Sequence, residues 1–201
     1  MHGVTLGYIM VANVPNLKAI VAATALTVTF SLPSAVLAQV GTGAPDEAAL
    51  LAELSVADPT DAAAIDRELQ ALWRKSGSPA MDLLLTRGVR ALERGDTQEA
   101  IEHLTALTDH APGFARGWYE RARAYFVIGL YGPSVADLEH ALALNPNNYD
   151  AIYALGTIFE QFRDPQNAYA AYLRAKAIHP THQEVTKALD RLAPLVEGKE
   201  L

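Results

Sequence analysis

The fold this sequence predicts is an all-α solenoid of three helix–turn–helix repeats with a capping helix at each end. Three observations predict it. First, Met81 to Pro180 is one pattern written three times with a period of 34 residues. Gly88, Ala122 and Gly156 form one column, and Ala100, Ser134 and Ala168 a second. Leu104, Leu138 and Tyr172 form a third, and Pro112, Pro146 and Pro180 a fourth. Second, glycine or proline punctuates the joins of this pattern at Gly95, Gly129, Gly132-Pro133 and Pro165. Third, an amphipathic segment flanks it on either side. Columns that keep step without a gap mark stacked helix pairs, each unit burying its apolar face on the next. Such an architecture points to binding and leaves open what is bound.

Taken in order, the chain opens with an export signal over residues 1–38. Lys18 supplies the positive region, Ala19 to Leu32 an apolar run, and small residues follow Pro33 through Ala38. Val36 and Ala38 suit cleavage between Ala38 and Gln39. The run is shorter than the roughly 18 to 20 residues of a membrane-spanning helix, so an uncleaved anchor is the lesser alternative. Met10 serves as a start as well as Met1. No cysteine occurs, which excludes disulfides, cysteine–zinc sites, thiol catalysis and a lipid-modified cysteine. Together these features place the chain in a bacterial envelope as a soluble periplasmic protein.

Residues 39–60 are small, polar and broken by Gly41, Gly43, Pro45 and Pro59, so a flexible mature N-terminus is expected, with at most a short helix across Glu47 to Val56. An N-terminal helix follows within 61–76. Ile65, Leu69, Leu72 and Trp73 fall on one face of it, Asp58 or Thr60 starts it, and Ser76-Gly77-Ser78-Pro79 stops it. This stripe needs a partner surface. The simplest is the first repeat, with the helix as a cap; the alternative lays the helix in the repeat groove as an internal plug.

The repeats occupy 81–114, 115–148 and 149–182. In the first, Gly95 ends one helix, and Asp96 with Glu99 has the spacing of a capping box for the next. In the second, Ala115 to Ile128 pairs with Tyr131 to Leu144, punctuated by Gly129 and Gly132-Pro133, with the proline at a tolerated first helical position. In the third, Asp164 caps and Pro165 opens the second helix. A last helix over 183–197 turns Val185, Leu189 and Leu192 inward and Glu184, Lys187, Asp190 and Arg191 to water, covering the apolar end of the stack.

These columns resemble the tetratricopeptide repeat family. The family places small residues where two helices cross, as at Gly88, Ala122 and Gly156 and at Ala100, Ser134 and Ala168. It places bulky ones between helices, as at Leu84, Trp118 and Ile152 and at Leu104, Leu138 and Tyr172. The first unit departs most, with Leu107 where the others have Ala141 and Ala175, and Ala91 where they have Tyr125 and Phe159. The resemblance covers about half the chain and implies a concave groove lined by the first helix of each unit. By position the groove residues are Asp82, Leu85, Val89 and Leu92 in the first unit. They are Arg116, Tyr119, Arg123 and Phe126 in the second, and Asp150, Tyr153, Thr157 and Glu160 in the third. The candidate partner-binding set is Arg116, Tyr119, Arg123, Phe126, Tyr153, Thr157 and Glu160, because aromatic and arginine side chains dominate binding hot spots. The same residues also suit packing between repeats, with the arginines paired to Glu120 or Asp150. Some members of the family grip a C-terminal carboxylate with lysine and asparagine; Tyr119 and Arg123 stand at such places here, so that clamp is absent as such.

No chemistry competes with binding. Of six histidines, His103 and His110 stand two turns apart on one helix, and His179-Pro180-Thr181-His182 reads as a surface loop at a repeat end. Gly-rich phosphate loops, G-x-S-x-G and H-E-x-x-H are missing. The formal charge is −7, and because residues 1–38 carry only Lys18, the mature chain carries −8. That balance opposes nucleic-acid binding. The expectation is a non-catalytic interaction module without cofactor or metal, taking a short peptide or one helix of a protein partner into its groove. Self-association through a swapped Ile65–Trp73 helix, or binding of a small ligand or cell-wall fragment, are the alternatives.

Overall fold

A computed structural model describes residues 46–198, and the export signal and the stretch up to residue 45 lie outside them. The described residues form helices and turns only, as α1 (Glu47–Leu54), α2 (Pro59–Trp73), α3 (Pro79–Glu93), α4 (Thr97–His110), α5 (Ala115–Val127), α6 (Tyr131–Leu144), α7 (Tyr149–Gln161), α8 (Pro165–Ile178) and α9 (Gln183–Glu197). The pairs α3–α4, α5–α6 and α7–α8 are the three repeats, and α9 packs on α8. Among the described residues no helix is long and apolar enough to cross a membrane.

The small columns act as the period requires. A Cβ on Gly88 would lie 2.5 Å from Leu104 Cγ, and one on Gly156 would lie 2.5 Å from the Tyr172 ring. The two helices of those units therefore close until the bulky residue fills the space over the glycine. Leu107, the misfit of the first unit, is fully buried because Gly117 of the next repeat leaves room; a Cβ there would meet its side chain at 3.1 Å. At the turn between the helices of each unit, Gly95, Gly129 and Arg163 again stand 34 apart. All three have positive φ, +83°, +73° and +57°, so the third unit asks a side-chain-bearing residue for the conformation that glycine supplies in the first two.

Three local expectations are corrected. The short helix expected across Glu47 to Val56 forms as Glu47–Leu54 but is packed rather than loose: Asp46 caps α1, Leu50 and Leu54 are buried, and the Trp73 indole donates to Glu47 at 3.0 Å. Leu50 and Leu54 are one turn apart, which gives even this short helix a face to bury. Asp96 and Glu99 do not form a capping box; both carboxylates are drawn to Arg94, at 3.0 and 2.9 Å. A guanidinium offers them more than an exposed backbone N–H does. Finally, α2 does not stack on the first repeat. Its long-range hydrogen bonds run to α5 and α7, and its buried Leu69 and Trp73 join the core of the second and third repeats while the first repeat keeps a core of its own. The internal-plug alternative is the arrangement formed.

Candidate functional site

The inner helices α3, α5 and α7 present the groove, and α5 and α7 carry most of its chemistry. Their N-terminal ends lie beneath α2, and their C-terminal halves stay open.

At the covered end, Arg116 leaves α5 one turn before Glu120 and meets it at 2.7 Å. Glu120 is fully buried and also receives Arg123 at 2.5 Å from the solvent side. A buried carboxylate between two guanidiniums is compensated charge, whose cost of removal from water is met by pairing. Arg116, 5% exposed, reaches past Glu120 and donates to the Gln70 side-chain oxygen at 2.6 Å. The Gln70 amide nitrogen in turn donates to Asp150 at 2.8 Å and to the Tyr149 hydroxyl at 3.3 Å. The Tyr149 hydroxyl donates to Asp66, and its ring lies 5.4 Å from that of Trp73. Burial, and then the Asp66 hydrogen bond, push the Tyr149 phenol well above its ordinary range, so it remains a donor. Burial works against the Asp150 carboxylate, but the His182 ring 3.7 Å away, the Gln70 hydrogen bond and the charge of Arg116 outweigh it and hold its carboxyl below the usual range. His179 is buried edge-on to the Tyr149 ring, and its pKa is lowered by burial and then by the neighbouring His182.

The open end is a cleft of about 660 Å³ between α5 and α7. Ala122, Leu138, Ala154 and Ile158 are its apolar floor, and Phe126, Val127 and Tyr153 its walls, with Arg123, Thr157 and His182 at the rim. Val127 is 61% exposed, and Phe162 beyond it 63%. Phe126, Tyr131 and Phe162 form an edge-to-face ladder with centroids 5.5 and 5.6 Å apart, a geometry that aromatic rings favour.

The seven candidate residues therefore separate. Arg116 is buried beneath the covered end, and Tyr119, buried between the guanidiniums of Arg116 and Arg123 at 5.0 and 5.9 Å, borders both the covered end and the open cleft. Arg123, Phe126, Tyr153 and Thr157 line the open cleft. Tyr153 is steadied by stacking on His182 at 5.8 Å and by Tyr172 at 5.3 Å. Thr157 bonds back to the Tyr153 carbonyl. Glu160 is spoken for: it accepts the Tyr172 hydroxyl at 2.6 Å and Arg191 of α9 at 2.6 and 2.7 Å, so it ties the C-terminal helix to the repeat. Asp82, a groove position in the first unit, instead accepts the Ser76 N–H and hydroxyl at 2.8 and 2.6 Å and pins the linker before α3. Sequence reasoning passed over Gln70, Tyr149, Val127 and His182. Gln70 carries no signal of its own, being a polar residue beside the apolar stripe of α2. Tyr149 directly precedes the groove position of Asp150, which was the available hint.

Residues 85–134 and 134–182 match the family model described as tetratricopeptide repeat. A TPR repeat-containing protein of Rhizobium etli is 28% identical over 141 residues, 70% of this chain and 69% of that protein. The SGT1 homolog of Bos taurus is 26% identical over 110 residues; the match spans 55% of this chain and about a third, 32%, of that relative's length. Among solved structures, the first TPR of Spaghetti (RPAP3) bound to an HSP90 peptide superposes with a TM-score of 0.56 at 24% identity, covering 58% of this chain and 93% of that one.

Proposed function

We propose that this chain, which belongs to the tetratricopeptide repeat family, is a non-catalytic adaptor or assembly factor of the bacterial periplasm that holds a peptide or helix of a protein partner in its concave groove. The observation that carries this reading is the open cleft. Apolar floor and aromatic walls stand ready-made, fixed by Tyr172, His182 and Tyr131 from neighbouring elements, while an arginine and a threonine at the rim supply orientation. A preformed apolar recess with a few convergent polar groups is where a partner's side chains lose most water at least ordering cost. The Spaghetti domain, bound to an HSP90 peptide, supports a peptide as the class of occupant. The export signal read over residues 1–38 supports the periplasm.

The test is a crosslinking capture from envelope extract with residues 39–201, wild type beside a Phe126→Ala/Val127→Asp variant of matched helicity. The expected result is one protein retained by wild type and lost by the variant. Equal retention by both would move the site away from the cleft. Self-association is the second reading, favoured by the seat that α2 already has in the groove; a mass that rises with concentration would support it.

A further inference from the structure

We infer that the α1–α2 hairpin is a displaceable stand-in for the partner. It closes the covered end of the groove, and the partner that opens it is an amphipathic helix bearing the same carboxylate–amide–aromatic stripe as α2. This rests on the reading of the groove as a peptide- or helix-binding surface and adds what the groove recognises and how it is kept closed.

The stripe is Asp66, Gln70 and Trp73, one turn apart in succession, and each makes a specific contact with α5 or α7. Spacing of this kind is how a groove reads a helix. Gln70 is the discriminating position. Its side chain accepts from Arg116 and donates to Asp150 simultaneously. A carboxylate there would face Asp150, and an ammonium would face Arg116, so of the long polar side chains only an amide satisfies both. The carboxylate of Asp66 accepts a hydrogen bond from the hydroxyl of Tyr149, the first residue of α7. Trp73 supplies the aromatic area.

Two features make the seat separable from the repeats. The repeats close helix on helix over glycine, with Gly156 against the Tyr172 ring, whereas α2 is seated by Leu69 and Trp73 and by the side-chain hydrogen bonds of Asp66 and Gln70. Its departure also leaves the Arg116–Glu120–Arg123 cluster whole, because that cluster lies within α5. Arg116 Nε is buried without a hydrogen-bond partner even with α2 in place, a donor that a better-fitted helix would engage. The hinge is short and defined. Ser76 is held to Asp82, and Gly77 at φ +83° has open space where a side chain would be. A five-residue tether of this kind, Arg74 to Ser78, keeps the hairpin at an effective concentration on the order of millimolar beside its seat. A free helix of equal intrinsic affinity must outcompete that.

The probe is a fluorescein-labelled peptide of residues 46–75, titrated by anisotropy against the full mature chain. One sample is wild type, and the other carries Gln70→Glu with Trp73→Ala to unseat its own hairpin. The variant should bind the peptide saturably and at least about 100-fold more tightly than wild type, as expected for removal of a tethered competitor. Adding Asp150→Asn to the variant should weaken peptide binding about tenfold, since the amide then loses its acceptor charge. Thermal unfolding by circular dichroism confirms that the repeats of each protein are folded. Equal affinity of wild type and variant for the peptide would overturn the inference, as would failure of a folded variant to bind it. A wild-type dimer that exchanges hairpins would overturn it in favour of a second copy as occupant. The outcome is independent of the extract capture, which depends on the open cleft.

Discussion

The two ends of the α5–α7 groove were built from the same repeat register, yet they differ in kind. The covered end is a polar lattice, in which Arg116, Glu120, Gln70, Tyr149, Asp150 and Asp66 pair with one another over a few ångströms and leave Arg116 Nε as a buried donor without a partner. The open end is apolar, with Phe126, Val127 and Tyr153 facing solvent over a floor of alanine, leucine and isoleucine. The difference teaches that polarity in this groove marks where it is already engaged, and exposed apolar area marks where it waits. A buried polar group is tolerated only when paired, so the lattice presupposes its occupant. An apolar wall tolerates water, and gains by losing it.

The sharpest way to break this contrast is at Glu120. Replacing it with alanine strands the buried Arg116 charge and frees Arg123. Loss of one member of a buried pair costs about 3 kcal/mol or more, which urea unfolding followed by circular dichroism would read directly. Phe126→Ala at the open end, half-exposed, should cost far less. A similar loss for both would mean that the covered end is no more charge-dependent than the open one.

Acid should act on the same contrast more gently. The folded pKa of His179 is lowered, so its contribution to stability is fully present above the unfolded histidine value of about 6.5 and is lost as pH falls through that value toward the folded one. Asp150, also lowered, keeps its contribution until pH falls below the ordinary aspartate value of about 3.9. His179 faces Tyr149 and His182, with Asp66 and Asp150 close by, so the covered end should loosen first as pH falls below about 6.5. The check is amide hydrogen exchange of α2 at several pH values. Protection lost in α2 ahead of α5 is expected in wild type and should be blunted in His179→Gln. Uniform loss across the helices would remove the pH asymmetry between the ends.

Much of this was legible beforehand, and the part that was not has a physical reason. The period located every repeat and the close crossings at Gly88 and Gly156, because helix contact distance is dictated by residue size at fixed columns. Register on a helix decides which way a residue faces, and it puts Arg123, Phe126, Tyr153 and Thr157 on the open cleft, whereas Asp82 and Glu160 are taken up by Ser76 and Arg191. What the groove holds was not legible. The apolar stripe of Ile65, Leu69, Leu72 and Trp73 reads identically whether it caps the first repeat or lies across the second and third. The choice is made by Gln70 with Arg116 and Asp66 with Tyr149, pairs separated by 46 and 83 residues. Glu160 likewise looked available in its repeat and is held by Arg191, 31 residues on. Local patterns set direction; long-range pairs set occupancy.

The smallest expected effect lies at the open end, in the turn after α7. Arg163 adopts φ +57° where Gly95 and Gly129 hold the same place in the other units. A left-handed conformation costs a residue with a Cβ roughly 1 kcal/mol relative to glycine, and part of what Arg163→Gly recovers is returned through the greater freedom of glycine in the unfolded chain. A net gain of about 0.5 kcal/mol is expected, read as a shift in urea midpoint without change in slope. The side chain is exposed and makes no hydrogen bond or ion pair among the described residues, so nothing at the covered end should move, and protection of α2 in hydrogen exchange should match wild type. Stabilisation confined to α7 and α8 would show that the open end can be tightened independently of the hairpin, as two separately built halves require. A parallel rise in α2 protection would instead make the groove one cooperative unit and remove the distinction between its ends.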